Sequence, residues 1–138
     1  MSIIRSASGN GGISIEVGVE GSGRIVIAIM TQSRTPPVID AVNFNSVAMT
    51  ISPLSSDGTN ASAIAYILDE DLPPAGTYSI DTGSGSTRVT LLYCENMAQS
   101  APSDTKVLTD VTGTTEQTVD LSLASANSVC VFACIASA

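Results

Sequence analysis

The sequence predicts an all-β protein, an antiparallel β-sandwich of the immunoglobulin-like or jelly-roll kind, built from about nine or ten short strands. Three observations predict it. Apolar and polar residues alternate with period two in short runs, and these runs recur between clusters of Gly, Pro, Asn, Asp and Ser. No stretch long enough for an ordinary helix keeps an apolar stripe at the 3.6-residue period. With 138 residues the chain suits one compact domain. That domain is expected over residues 13–138, after an N-terminal arm over residues 1–12.

The arm, MSIIRSASGNGG, carries Ile3, Ile4 and Arg5 ahead of a glycine-rich hinge. These three residues are the candidates for gripping a neighbouring subunit, by strand addition or as an anchor. Residues 13–19 (ISIEVGV) and 24–30 (RIVIAIM) follow as adjacent strands across the loop EGSG, the second more deeply buried. TQSRTPP, at 31–37, is a loop because consecutive prolines remove two backbone donors. Residues 38–44 (VIDAVNF) and 47–51 (VAMTI) form two strands joined by a tight Asn45-Ser46 hairpin turn. A loop at 53–61, centred on Asp57-Gly58, precedes a strand at 62–68 (SAIAYIL).

The acidic turn Asp69-Glu70-Asp71 and the Pro73-Pro74 pair end that strand, and Gly76 opens the next at Thr77, Tyr78 and Ile80. TGSGS, at 82–86, then makes a hairpin with residues 87–93 (TRVTLLY). Beyond a polar loop at 95–104, strands are expected at 106–111 and 118–123. A last and most apolar one at 128–135 (SVCVFACI) is expected to be central or covered, since a bare edge of that composition aggregates.

Composition excludes several chemistries. The chain has no His, so imidazole metal ligands and His-dependent acid–base catalysis are absent. A formal charge of −8, with the cationic side chains scattered singly, argues against nucleic acid and anionic lipid as partners. The six-residue run IVIAIM is far short of a bilayer span, and the N-terminus lacks the apolar core of a secretory signal, so synthesis without an export address is expected. GNGG and GSGS lack the Lys-Ser/Thr and following helix of a phosphate loop.

Asp69, Glu70 and Asp71 read as a solvated turn, lacking the ligand spacing of a calcium loop. Tyr66, Tyr78 and Tyr93 read as sheet-packing residues with their hydroxyls at the rim. Cys130 and Cys134 stand about 13 Å apart on an extended strand, too far to pair, and all three cysteines read as buried thiols. Neither a catalytic residue nor a cofactor is expected.

Four stretches carry a family resemblance: GRIVIAIM, VIDAVNFNSVAMTI, YILDEDLPPAGTYSI and ENMAQSAP. In this order they resemble a β-sandwich domain of bacteriophage virion proteins, found also in some bacterial surface or secreted proteins. That family's leading strand is matched from Arg24, its hairpin at residues 39–50, its Pro-Gly segment at 66–80 and its following loop at 95–102. The family's hairpin glycines are replaced by Asn45 and Ser46. The resemblance implies a non-enzymatic structural component of a phage particle, most simply a capsid decoration or cementing protein on the shell exterior. Its implied partners are the major capsid protein and copies of itself, with a trimer favoured over a dimer. A tail or fibre component and a carbohydrate-binding or adhesion module are the alternatives, the last using rim tyrosines and loop carboxylates.

Overall fold

The computed structural model describes residues 2–101, and the strands expected at 106–111, 118–123 and 128–135 lie outside them. The described residues form an all-β fold of two antiparallel sheets. The larger contains β1 (Ser2–Asn10), β3 (Ile25–Ser33), β6 (Thr50–Ile51), β7 (Ser55–Ser56), β8 (Asn60–Leu68) and β10 (Thr87–Glu95), in the order β1-β10-β3-β8-β6 with β7 also on β8. The smaller contains β2 (Ser14–Val17), β4 (Asn43–Phe44), β5 (Val47–Ala48) and β9 (Gly76–Asp81), in the order β2-β9-β4-β5.

Between the sheets lies a core whose members follow the two-residue period of the pleat. Val26, Ala28 and Met30 of β3, Ala63, Ala65 and Ile67 of β8, and Val89, Leu91 and Tyr93 of β10 meet Ile15, Val17, Phe44 and Ile80 of the smaller sheet. Phe44 and Tyr78 pack edge to face, with ring centroids 6.2 Å apart.

Four expectations are corrected. Residues 2–10, expected within a free arm, form β1, a strand of the chain's own sheet. Its register runs from Ser2 opposite Glu95 to Asn10 opposite Arg88, with one irregularity between Ile3 and Arg5. A backbone able to form a continuous ladder with β10 satisfies its polar groups there, and short polar side chains such as Ser6 and Ser8 do not prevent this. The strands over 13–19 and 24–30 are not neighbours, because β2 pairs with β9 whereas β3 sits between β10 and β8.

The third correction concerns β9 and β10, which form no hairpin: residues 82–86 carry the chain from one sheet to the other. The fourth concerns VIDAVNF and VAMTI. Only Asn43–Phe44 of the first is strand, and the second divides at Met49 into β5 in one sheet and β6 in the other. Met49 is buried at this corner, and its N–H bonds to the Val42 carbonyl at 2.9 Å.

The tight Asn45-Ser46 turn joins β4 to β5, and both residues have positive φ, 49° and 66°. This is the backbone twist that two-residue hairpins favour, and glycine adopts it without the Cβ penalty. Ser46 is exposed. Ser46→Gly is therefore expected to stabilise the chain by about 0.5–1 kcal/mol, read as a higher urea midpoint at unchanged slope. A lower midpoint would show that the Ser46 side chain makes a contact worth more than the strain.

Candidate functional site

Arg24 has no exposed surface and stands at the entry to β3. Its Nε donates to Asp69 Oδ1 at 2.5 Å, and its backbone N–H donates to Asp69 Oδ2 at 3.2 Å. Nη1 donates to the carbonyls of Gly18 at 2.8 Å and Pro73 at 3.0 Å. Gln99 closes the ring: its Nε2 donates to the Arg24 carbonyl at 3.2 Å, and its Oε1 accepts from the Asp69 N–H at 2.7 Å. The guanidinium fork thus ties the turn after β8 and the end of β2 to the start of β3, and Gln99 ties the loop after β10 to the Arg24 and Asp69 backbone. Burial alone would raise the Asp69 pKa, but hydrogen bonds from the Arg24 side chain and backbone outweigh it and hold the carboxyl below its ordinary value.

A second polar node fixes the opposite end of β3. Gln32, 1% exposed, accepts from the Val38 N–H at 2.6 Å and donates to Thr87 Oγ1 at 3.2 Å. Its amide also lies 3.4 Å from Ser84 Oγ and 3.5 Å from Ser86 Oγ. The two loops the sequence marks as TQSRTPP and TGSGS are therefore held against one another by a residue expected to lie within the first of them. Among the described residues, no buried side-chain nitrogen or oxygen lacks a hydrogen-bond partner.

Of the candidate contact residues, Ile3 lies opposite Cys94 and Arg5 opposite Tyr93 in the β1–β10 ladder, and Ile4 falls at the irregularity between them. Arg5 is engaged within the chain. Its Nε is 3.2 Å from Glu16 Oε2 on β2, and its guanidinium carbon is 5.6 Å from the Tyr93 ring centroid. Both partners of the Arg5–Glu16 pair are exposed enough for solvent to screen it. Next to this strand is an open depression lined by Ser8, Gly9, Asn10, Arg88 and Thr90.

The acidic turn is divided by the fold: Asp69 is taken up by Arg24, whereas Glu70 and Asp71 stay exposed. Reading all three as solvated carboxylates is therefore corrected for Asp69, because an arginine forty-five positions upstream arrives beside it. None of the three tyrosines is exposed. Tyr93 is buried, its hydroxyl donating to Glu95 Oε1 at 2.7 Å and accepting from the Gly18 N–H at 3.0 Å. Burial first, and the Glu95 hydrogen bond second, raise its pKa. Cys94 is a buried free thiol whose pKa burial raises, while Cys130 and Cys134 lie outside the described residues. Among the described residues, no three Cys, Asp or Glu side chains are grouped to hold a metal ion.

The sequence reading missed Arg24, Gln32 and Gln99 as organising residues. Arg24 carried a faint signal, a charge placed directly before the six-residue apolar run. Gln32 and Gln99 carried none, since a lone amide in a polar loop looks the same whether solvated or buried. In comparisons with known proteins, no protein-family model, curated protein or solved structure matches this chain.

Proposed function

We propose that the chain is a non-enzymatic structural component of a bacteriophage particle, a capsid decoration or cementing protein seated on the shell exterior beside the major capsid protein and copies of itself. The observation that carries this reading is the convergence on Arg24. Three of the four stretches that resemble virion β-sandwiches supply its partners or surround it: the leading strand supplies Arg24 itself, the Pro-Gly segment Asp69 and Pro73, and the following loop Gln99. Arg24, Asp69 and Gln99 of those motifs are spent on internal bonds that rigidify the module. A rigid module of this kind supports many identical, individually modest contacts, which a symmetric shell multiplies into firm attachment. The acidic charge of −8 favours a position away from packaged nucleic acid. The carbohydrate-binding alternative is weakened, because it needs an exposed tyrosine platform and all three tyrosines are packed.

The test is a count of copies per purified particle by quantitative mass spectrometry. Hundreds of copies are expected; a handful located at the tail would favour the fibre reading, and none would overturn the proposal. Deleting residues 1–12 is not a clean release experiment, because it removes β1 and bares the edge of β10.

A further inference from the structure

The outer face of the larger sheet, turned away from the core, changes character across its width. At β1 and the adjoining end of β10 it is polar and exposed, with Ser6, Ser8, Asn10 and Arg88. Across β10, β3 and β8 it becomes apolar: Leu92 lies opposite Ile27 and Ile27 opposite Tyr66, while Cys94 lies opposite Ile25 and Ile25 opposite Leu68. Ile25, Ile27 and Cys94 are 8%, 7% and 1% exposed, and Ile64, Tyr66, Leu68, Leu92 and Met97 pack around them as half-buried neighbours. Every described strand belongs to one of the two sheets, and the smaller sheet covers the opposite face. The run IVIAIM thus presents apolar side chains on both sides, the pattern of a strand covered on both faces rather than one with a solvated side.

We propose that the segment 128–135, SVCVFACI, covers this apolar face. The described chain ends at Ala101, just past Gln99, which is bonded to Arg24 and Asp69. This is the margin of the sheet where Ile25, Leu68 and Cys94 lie. The 26 residues between Ala101 and Ser128 extend to roughly 85 Å, far more than the reach required. Eight residues of extended chain match the length of the nine-residue strands beneath. Both alternate faces of the segment are apolar, Cys130, Phe132 and Cys134 on one and Val129, Val131, Ala133 and Ile135 on the other, so either suits the patch. Ile25, Ile27 and Cys94 are buried although no described strand lies over them, and this proposal, which does not rest on the virion reading, names what covers them.

Two measurements on the full chain test it. In a Cys130→Ser/Cys134→Ser background Cys94 is the sole thiol, and its labelling by a maleimide reports the cover. Adding Val131→Asp and Phe132→Asp is expected to accelerate labelling at least tenfold while β-type circular dichroism is retained. Unchanged labelling in a folded variant would overturn the proposal. So would labelling that accelerates on dilution of the unsubstituted background together with loss of a dimer in sedimentation, because the cover would then be a second copy. Should the charged variant not fold, photo-crosslinking phenylalanine analogues placed singly at 131 and 132 decide instead. Intrachain adducts to peptides of β3, β8 or β10 support the proposal, and adducts only elsewhere or only between chains reject it.

Discussion

Arg24→Ala is expected to lower the unfolding free energy by about 3–5 kcal/mol, the scale for removing one partner of a buried ion pair. The guanidinium is wholly buried and the Asp69 side chain is 13% exposed, so water recovers only part of the lost solvation. The carbonyls of Gly18 and Pro73 lose their donor in the same substitution, and each buried group left unpaired adds to the loss. Arg24→Lys keeps the charge but cannot reach Asp69, Gly18 and Pro73 from one planar fork, and is expected to recover less than half of the loss. Urea unfolding of both variants checks this; a change below about 1 kcal/mol for Arg24→Ala would place the pair among solvent-screened surface bridges.

The same pair sets an acid limb in stability. The folded Asp69 pKa is depressed, so its contribution is fully present above the ordinary aspartate value near 4 and is lost as pH falls through the folded value. The exposed Asp57, whose carboxylate caps the N–H groups of Asn60 and Thr59, is depressed as well and acts in the same direction. Asp69→Asn is expected to lower stability at neutral pH and to flatten the decline below pH ~4, measured as urea midpoints across that range. An acid limb identical to that of the parent would assign the decline to other carboxylates.

The second large effect is expected at Gly23, immediately before Arg24. Its φ is +62°, and an added Cβ would stand 2.8 Å from the Met97 carbonyl oxygen and 3.2 Å from its nitrogen. Backbone cannot swing aside as a side-chain tip does, and the Met97 N–H is already bonded to the Gly23 carbonyl at 2.9 Å. Gly23→Ala must therefore displace the 96–99 loop, and with it the Gln99 bonds to Arg24 and Asp69. The expected loss is about 2–4 kcal/mol. Gly21 supplies the control, having φ +82° but no atom within 4 Å of an added Cβ. Gly21→Ala is expected to cost only about 1 kcal/mol of backbone strain. Equal effects at the two glycines would show that dihedral strain alone, rather than the approach of Met97, accounts for the loss.

Much of the fold was legible because β-structure writes its burial pattern locally. IVIAIM, SAIAYIL and TRVTLLY declare strands through apolar content and period, and Asn45-Ser46 and Asp57-Gly58 declare turns through the backbone conformations those residues tolerate. The acidic balance and absence of histidine narrow the chemistry in the same direct way. Which strands pair was not legible: β2 and β3 are neighbours in sequence but lie in different sheets, and the serine-rich N-terminus that reads as an arm supplies nine residues of edge strand. Pairing depends on which backbone edge is free when the chain returns, and side-chain identity constrains that weakly in a polar strand. The Arg24 network was hidden for the same reason. Arg24, Asp69, Pro73 and Gln99 each have an ordinary local role, and only the meeting of three segments distant in sequence makes a buried charge tolerable, because its hydrogen bonds must all be supplied at once.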